Sequence, residues 1–219
     1  MTTRTDAQLH KNVVDELMFE PGVDESKVAV AVSRGVVTLS GSVPTYTGKW
    51  AAEKAVKRVY GVLGVAEELT VRALPDLLHT DTDIARAARR ALDGHVVASQ
   101  ENVQVRVEKG VVTLEGEVES QFQRQSAHDA VAHLLGVRGV SNRVALRPQA
   151  TPNTLHAGIE AALRRNSALN ADHVSVEVKG SCVVLRGHLP SWAEIDAAVL
   201  AAWNAAGVTS VNSQLTIGS

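Results

Sequence analysis

Cysteine is nearly missing from this chain. Cys182 stands alone, so no intrachain disulfide can staple the fold, and its place in an apolar run reads as a small packing residue. Aromatic residues make up only 3% of the sequence, so its cores must be built from Val, Leu and Ala. No stretch approaches the ~18 consecutive apolar residues of a membrane-spanning helix. The opening residues, MTTRTDAQLHKN, contain no apolar signal segment. The chain as it stands is therefore expected to be soluble and cytoplasmic, and periplasmic only if a signal has been removed. Charge of one sign is also lacking. A formal net charge of −2 and a pI near 6.4 give no basic field for nucleic acid, which is not expected as a partner.

Catalytic and metal-binding signatures are missing as well. There is no HExxH, no CxxC pair, no G-x-S-x-G and no phosphate-cradling G-x-x-x-x-G-K-[ST]. Eight histidines are present, but His128 and His133, five apart, do not share a helix face well, and without HExxH or a CxxC pair zinc is not expected. No catalytic residue, metal or cofactor is expected, and the chain is read as a non-enzyme.

What the sequence does contain is a phrase repeated. Residues 35–43 read GVVTLSGSV, residues 110–118 read GVVTLEGEV, and residues 181–189 read SCVVLRGHL. Gly41, Gly116 and Gly187 anchor the three, 75 and then 71 residues apart. The flanking residues keep their offsets. Val28, Val103 and Val174 open alternating runs before each anchor. Leu9, Ile84 and Leu155 stand further upstream, and Gly61, Gly136 and Gly207 follow, each trailed by Val. No gap is needed inside any copy, so the chain is one unit written three times.

One copy can then be read for all. Leu9-Val13-Leu17 and its counterparts Ile84-Ala88-Leu92 and Leu155-Ile159-Leu163 recur at helical spacing. Asp81 with Thr82, and Asn153 with Thr154, sit where N-caps belong. Two runs of period two follow as strands, joined by Arg34-Gly35, Lys109-Gly110 or Gly180-Ser181. Two-residue hairpins need positive φ, which favours Gly. Moving the Gly to the first central position in the third copy predicts a type II′ turn in place of type I′, with register unchanged. A second helix through Ala52, Val56 and Val59 is expected to stop at Gly61, as its counterparts do at Gly136 and Gly207, and a last strand ends each copy. The fold class is α+β: three tandem α-β-β-α-β units, each a three-stranded sheet packed by two helices. The expected domains are 1–74, 75–148 and 149–219, with copies 6–72, 81–147 and 153–218 superposable and linkers at Pro75–Thr80 and Pro148–Pro152.

This pattern resembles the BON domain (bacterial OsmY and nodulation domain), whose signature is approximately V-x-V-x-x-G-x-V-x-L-x-G-x-V followed by a helix and G-V-x-x-V-x-N-x-L. The second copy matches through VRVEKGVVTLEGEV and GVRGVSNRVAL. The first has Glu67 at the Asn position. The third has Ser213 there, with Asn212 one step early, and lacks Gly at 181. The resemblance covers nearly the whole chain. It implies three tandem BON domains, association with phospholipid surfaces, envelope assemblies and osmotic stress, and no catalysis.

The copies differ most on the outward side of the second helix. In the first, Trp50, Lys54, Lys57 and Arg58 form an aromatic-cationic cluster, diluted by Glu53. An exposed Trp among cations suits anionic headgroups, each Lys or Arg adding about 1 kcal/mol; the plainer reading lays Trp50 along lysine stems. In the third copy Val199, Leu200 and Trp203 are surplus to a helix whose inner side is already Ala198, Ala202 and Ala205. Burying Leu200 and Trp203 would each contribute roughly 1.5–3 kcal/mol. Units of roughly 65 residues are marginal alone, so a neighbouring copy or a second chain is expected to cover this face. Lipid is the alternative, opposed by Glu194 and Asp196. The sequence therefore predicts a stress-related binding or scaffolding protein that engages anionic phospholipid or envelope-associated partners. The alternative is a cytoplasmic self-assembly or small-ligand-sensing protein that oligomerises through the third repeat.

Overall fold

The computed structural model describes residues 5–72, 79–94, 103–147, 155–165, 173–205 and 207–218. The expected linkers, His79 and Thr80 apart, and the expected caps Asn153 and Thr154 lie outside these residues. The first repeat contains α1 (Asp6–Met18), β1 (Val28–Ser33), β2 (Val36–Val43), α2 (Tyr46–Arg58) and β3 (Gly64–Val71). The second has α3 (Asp81–Gly94), β4 (Val103–Glu108), β5 (Val111–Val118), α4 (Gln121–Ala132) and β6 (Gly139–Leu146). The third has α5 (Leu155–Arg165), β7 (Val174–Lys179), β8 (Cys182–Leu189), α6 (Trp192–Trp203) and β9 (Ser210–Ile217). Each sheet has the hairpin's second strand at its centre: β1-β2-β3, β4-β5-β6 and β7-β8-β9. The fold is α+β in three repeats.

The centre strand pairs antiparallel on one side and parallel on the other. Val28 opposes Gly41 and Ser33 opposes Val36, while β2 runs parallel to β3 from Val36 opposite Gly64 to Val43 opposite Val71. A parallel partner needs a crossover, and α2 supplies it. The third repeat copies both registers, with Val174 opposite Gly187 and Cys182 opposite Ser210. The anchor glycines are required by this pairing. Gly41 and Gly187 have φ of 120° and 142°. A Cβ at Gly41 would fall on the backbone carbonyl of Lys27, and one at Gly187 on that of His173. Any side chain there would push the hairpin apart.

The hairpin turns follow from their residues. Arg34 and Gly35 both have positive φ, as do Lys109 and Gly110, which is type I′ geometry. In the third turn only Gly180, at the first central position, has positive φ (61°), as type II′ requires. The two-residue loop and its register are kept.

Two helix boundaries differ from the sequence reading. The second helices stop at Arg58, Ala132 and Trp203, ahead of Gly61, Gly136 and Gly207. Each Gly instead sits inside the following turn, closed by Val62 N–H to Val59 C=O (3.3 Å) and its counterparts, with φ of 97°, 87° and 93°. The glycines belong to β-turns rather than to helix caps, so Val59 lies just beyond α2. The cap of α3 is Thr80, not Asp81 or Thr82. Asp83 N–H donates to Thr80 Oγ1 (3.2 Å), and Thr80 N–H donates back to Asp83 Oδ2 (3.2 Å), a closed capping box. Asp81 is thereby left to accept from the turn amides of Lys109 and Gly110, both at 2.8 Å. Asp6 does the same for Arg34 (2.8 Å) and Gly35 (3.0 Å).

The first core comprises Leu9, Val13 and Leu17 of α1, Val37, Leu39 and Val43 of β2, Ala52, Ala55 and Val56 of α2, and Leu69. The third comprises Ile159, Leu163, Val183, Leu185, Leu189, Ile195, Ala198 and Ala202. Small Ala side chains on the second helix bring it close to the sheet, and each buried Val or Leu contributes about 1.5–3 kcal/mol. The chain divides into two compact units, residues 1–90 with 106–112 and 130–141, and residues 91–105 with 113–129 and 142–219.

Candidate functional site

Thr45 starts α2, its Oγ1 accepting from Gly48 N–H at 3.1 Å. Gly48, Ala52, Ala55 and Val56 then face the core, which leaves Trp50, Lys54, Lys57 and Arg58 on the other side. Trp50 is 42% exposed, and Lys54 Nζ lies over its ring, 4.9 Å from the centroid. Lys57 pairs with Glu53 one turn earlier at 2.8 Å. Arg58 is held elsewhere: its guanidinium meets Glu16 at 2.9 Å and Glu20 at 2.6 Å, fastening α2 to the end of α1. The carboxylates of Glu20 and Glu16 push its pKa above the ordinary arginine value. The four candidates therefore split. Trp50 and Lys54 stack together, with Lys57 one turn further along the helix, and Arg58 is tied to carboxylates of another element.

The second candidate face, on α6, begins at Ser191, whose Oγ caps Glu194 N–H at 3.3 Å. Ile195, Ala198 and Ala202 are buried. Val199 and Trp203 are half-buried, and Leu200 is 57% exposed. Trp203 carries the guanidinium of Arg124, from α4 of the preceding repeat, 4.5 Å from its ring centroid. Burial pushes the Arg124 pKa down. Cys182 is half-buried at the start of β8. Among the described residues, no group of three His, Cys, Asp or Glu side chains is placed to hold a metal, and no helix is long and apolar enough to cross a membrane.

The BON-domain family profile matches residues 5–73, 80–148 and 153–219. The chain belongs to the BON-domain family. Osmotically-inducible protein Y of Escherichia coli (strain K12) is 28% identical over 141 residues, spanning 63% of this chain and 70% of that protein. Among solved structures, the C-terminal domain of CdsD, the structural protein of the type III secretion system of Chlamydia trachomatis, aligns over 99% of this chain and 100% of its own, at 14% identity and a TM-score of 0.28. A second CdsD structure aligns over 95% and 91%, at 14% identity and a TM-score of 0.27.

At the BON asparagine position the three repeats carry three different residues, and two of them make ties of different kinds. Asn142 donates from Nδ2 to the Arg124 carbonyl at 2.8 Å, joining β6 to α4, and accepts from Val144 N–H at 3.2 Å. In the first repeat Glu67 accepts from Leu69 N–H at 2.7 Å. Lys49 reaches from α2 to Glu67 (2.7 Å) and to the Leu69 carbonyl (2.8 Å). In the third, Ser213 stands at the asparagine position and the buried Ile195 at that of Lys49. Sequence reasoning did not reach Lys49 or Arg124, although Glu67 at the asparagine position was a signal for the first: a carboxylate there needs a cation close by.

Two clefts also occupy equivalent places. In one unit, Pro44, Thr45, Thr47 and Val71 meet residues 132–138 around about 120 Å³. In the other, residues 119–123 meet Trp203, Asn204, Ala205, Gly207 and Val208 around about 340 Å³.

Proposed function

We propose that this BON-domain chain is a non-enzymatic, stress-related binding or scaffolding protein that engages anionic phospholipid or envelope-associated partners through α2. The observation that carries this reading is the half-exposed Trp50 with Lys54 on its ring and Lys57 one turn along. An indole suits the wet edge of a bilayer, and Lys54 on its ring, with Lys57 beside Glu53 one turn along, favours anionic headgroups. The name of the Escherichia coli relative supports the link to osmotic stress. Arg58, neutralised by Glu16 and Glu20, has a structural role in this reading.

Co-sedimentation of the full chain with vesicles, with light scattering on the same sample, tests it. Binding to anionic vesicles is expected to be weak and to fall as salt shortens the Debye length to about 10 Å at 0.1 M. Lys54→Glu with Lys57→Glu should reduce it by roughly tenfold or more. Equal binding to neutral and anionic vesicles, or indifference to the charge reversal, sinks the reading. The exposed Leu200 beside Val199 and Trp203 supports a second reading, cytoplasmic self-assembly through the third repeat. It predicts an oligomer that is indifferent to lipid and loosened by Trp203→Lys.

A further inference from the structure

The two clefts stand at the same place in the repeat, between the start of one second helix and the turn after the next. Among the positions where the two places differ, two carry a smaller side chain at the larger cleft. Leu134 lines the smaller cleft, and its counterpart in the larger is Ala205. Tyr46 opens α2 with its hydroxyl against the Val140 backbone, whereas its counterpart at the start of α4 is the shorter Gln121. The cleft grows from about 120 to about 340 Å³, which brings it into the range, roughly 300–1,000 Å³, of small-molecule sites. Gln121 Oε1 is buried at its wall without a hydrogen-bond partner. A buried carbonyl without a donor is costly, and a ligand that brings one relieves the cost.

Charge selects the class of ligand. An anion would face Glu119, and the amides of Glu119, Ser120 and Gln123 are already used. Glu119 and Ser120 N–H donate to Gln123 Oε1 at 2.8 and 3.1 Å, and Gln123 N–H donates to Ser120 Oγ at 3.3 Å. A cation would meet the like charge of Arg124 on Trp203. A neutral molecule with hydroxyl donors along one edge and an apolar C–H face meets neither obstacle. One hydroxyl donates to Gln121 Oε1, which turns toward the cleft about its broad terminal torsion, and another donates to the Glu119 carboxylate. The C–H face packs on Trp203 and on Phe122, which is 67% exposed. We propose that this cleft of the second unit binds a neutral sugar ring, and that its smaller counterpart does not.

The test uses the full chain labelled with nitrogen-15 at tryptophan, without vesicles, so it stands apart from the lipid reading. Trp203→Phe identifies the Trp203 indole signal. Glucose and N-acetylglucosamine are the probes, with choline as the cation and inorganic phosphate as the anion. The sugars should shift the Trp203 signal saturably, with a dissociation constant on the order of millimolar, and leave Trp50 unmoved. Ala205→Leu, which restores the residue of the smaller cleft, should weaken binding at least about tenfold. Gln121→Leu, which removes the acceptor at similar volume, should weaken it roughly tenfold. The proposal is overturned if neither sugar moves Trp203, if choline or phosphate moves it and the sugars do not, or if either variant that melts like the parent chain binds sugar unchanged.

Discussion

In the first repeat Asp6, Lys49 and Arg58 fasten the unit by charge, whereas the same positions of the third hold Pro152, Ile195 and Asn204. Asp6 clamps two turn amides, Lys49 bridges Glu67 and a strand carbonyl, and Arg58 ties two helices. In the third repeat Ser181 and Thr209 hold the turn side through their hydroxyls at 2.7 Å, and Ile195 is simply buried. Other polar ties are common to both: His10 and His156 place Nε2 at 3.1 and 3.0 Å from the carbonyls of Val30 and Val176, on edge strands, and Thr70 and Thr216 donate from Oγ1 to the carbonyls of Gly41 and Gly187. The strand registers are the same. The outer sheet faces are not, with Ala31, Ser33 and Ser40 in the first where the third has Glu177, Lys179 and Arg186. The backbone is thus set by apolar spacing and glycine, while polar fasteners are local solutions that one repeat can hold and another omit.

The comparison breaks most visibly at what the repeats share. Gly41→Ala or Gly187→Ala drives a methyl group into a backbone carbonyl at a positive φ. It should cost about 3 kcal/mol or more, enough to unfold a marginal unit of this size. Hydrogen exchange would show loss of protection in the hairpin of the substituted repeat; a chain with Gly187→Ala that keeps its melting curve would show that the anchor is dispensable. A smaller effect is expected from a fastener present in one repeat alone. Asp6→Ala should cost about 1 kcal/mol and speed exchange of the Arg34 and Gly35 amides, leaving the third repeat unchanged. Equal effects in both repeats would mean that the clamp is not local.

The smallest effect sharpens the contrast of the outer faces. Lys179 first, then Arg186, holds the Glu177 carboxyl below the ordinary glutamate range. A depressed folded pKa contributes stability that is present above the unfolded value and is lost as pH falls through the folded one. Carbon-13 NMR of the side-chain carboxyls should find Glu177 titrating low, and Lys179→Met should move it upward and remove part of this small contribution at neutral pH. An unmoved midpoint would show that Lys179 contributes nothing to it.

Element order was legible because its signals are local. Period-two valines, four-residue helical steps and glycines at fixed offsets need no partner to be read. The reading failed at the glycines after the second helices, which close a local turn, and where a residue had a distant occupation. Asp81 looked like a cap, but its carboxylate serves a turn 28 residues on, and Thr80 caps in its place. Arg58 grouped with Lys54 and Lys57 by helix spacing, while the carboxylates that hold it lie 42 and 38 residues earlier. The apolar surplus at Trp203 was visible, but not the Arg124 that covers its ring. Spacing along one helix reports which residues share a face. It does not report what another element brings to that face.

The shared register also makes the repeats rivals for one another's strands. GVVTLSGSV and GVVTLEGEV are nearly the same phrase, and β3 and β6 each pair with one copy of it, so each meets two similar partners while the chain folds. The hairpins are protected, because a two-residue loop closes them within about 1–10 μs. The parallel strand, which must wait for its crossover helix, is the piece that can be exchanged. During synthesis, at roughly 5–20 residues per second, the first repeat is complete before the rival strand has left the ribosome. In refolding from denaturant all three copies compete at once. The order in which the chain is made therefore sorts strands that the sequence alone leaves nearly interchangeable.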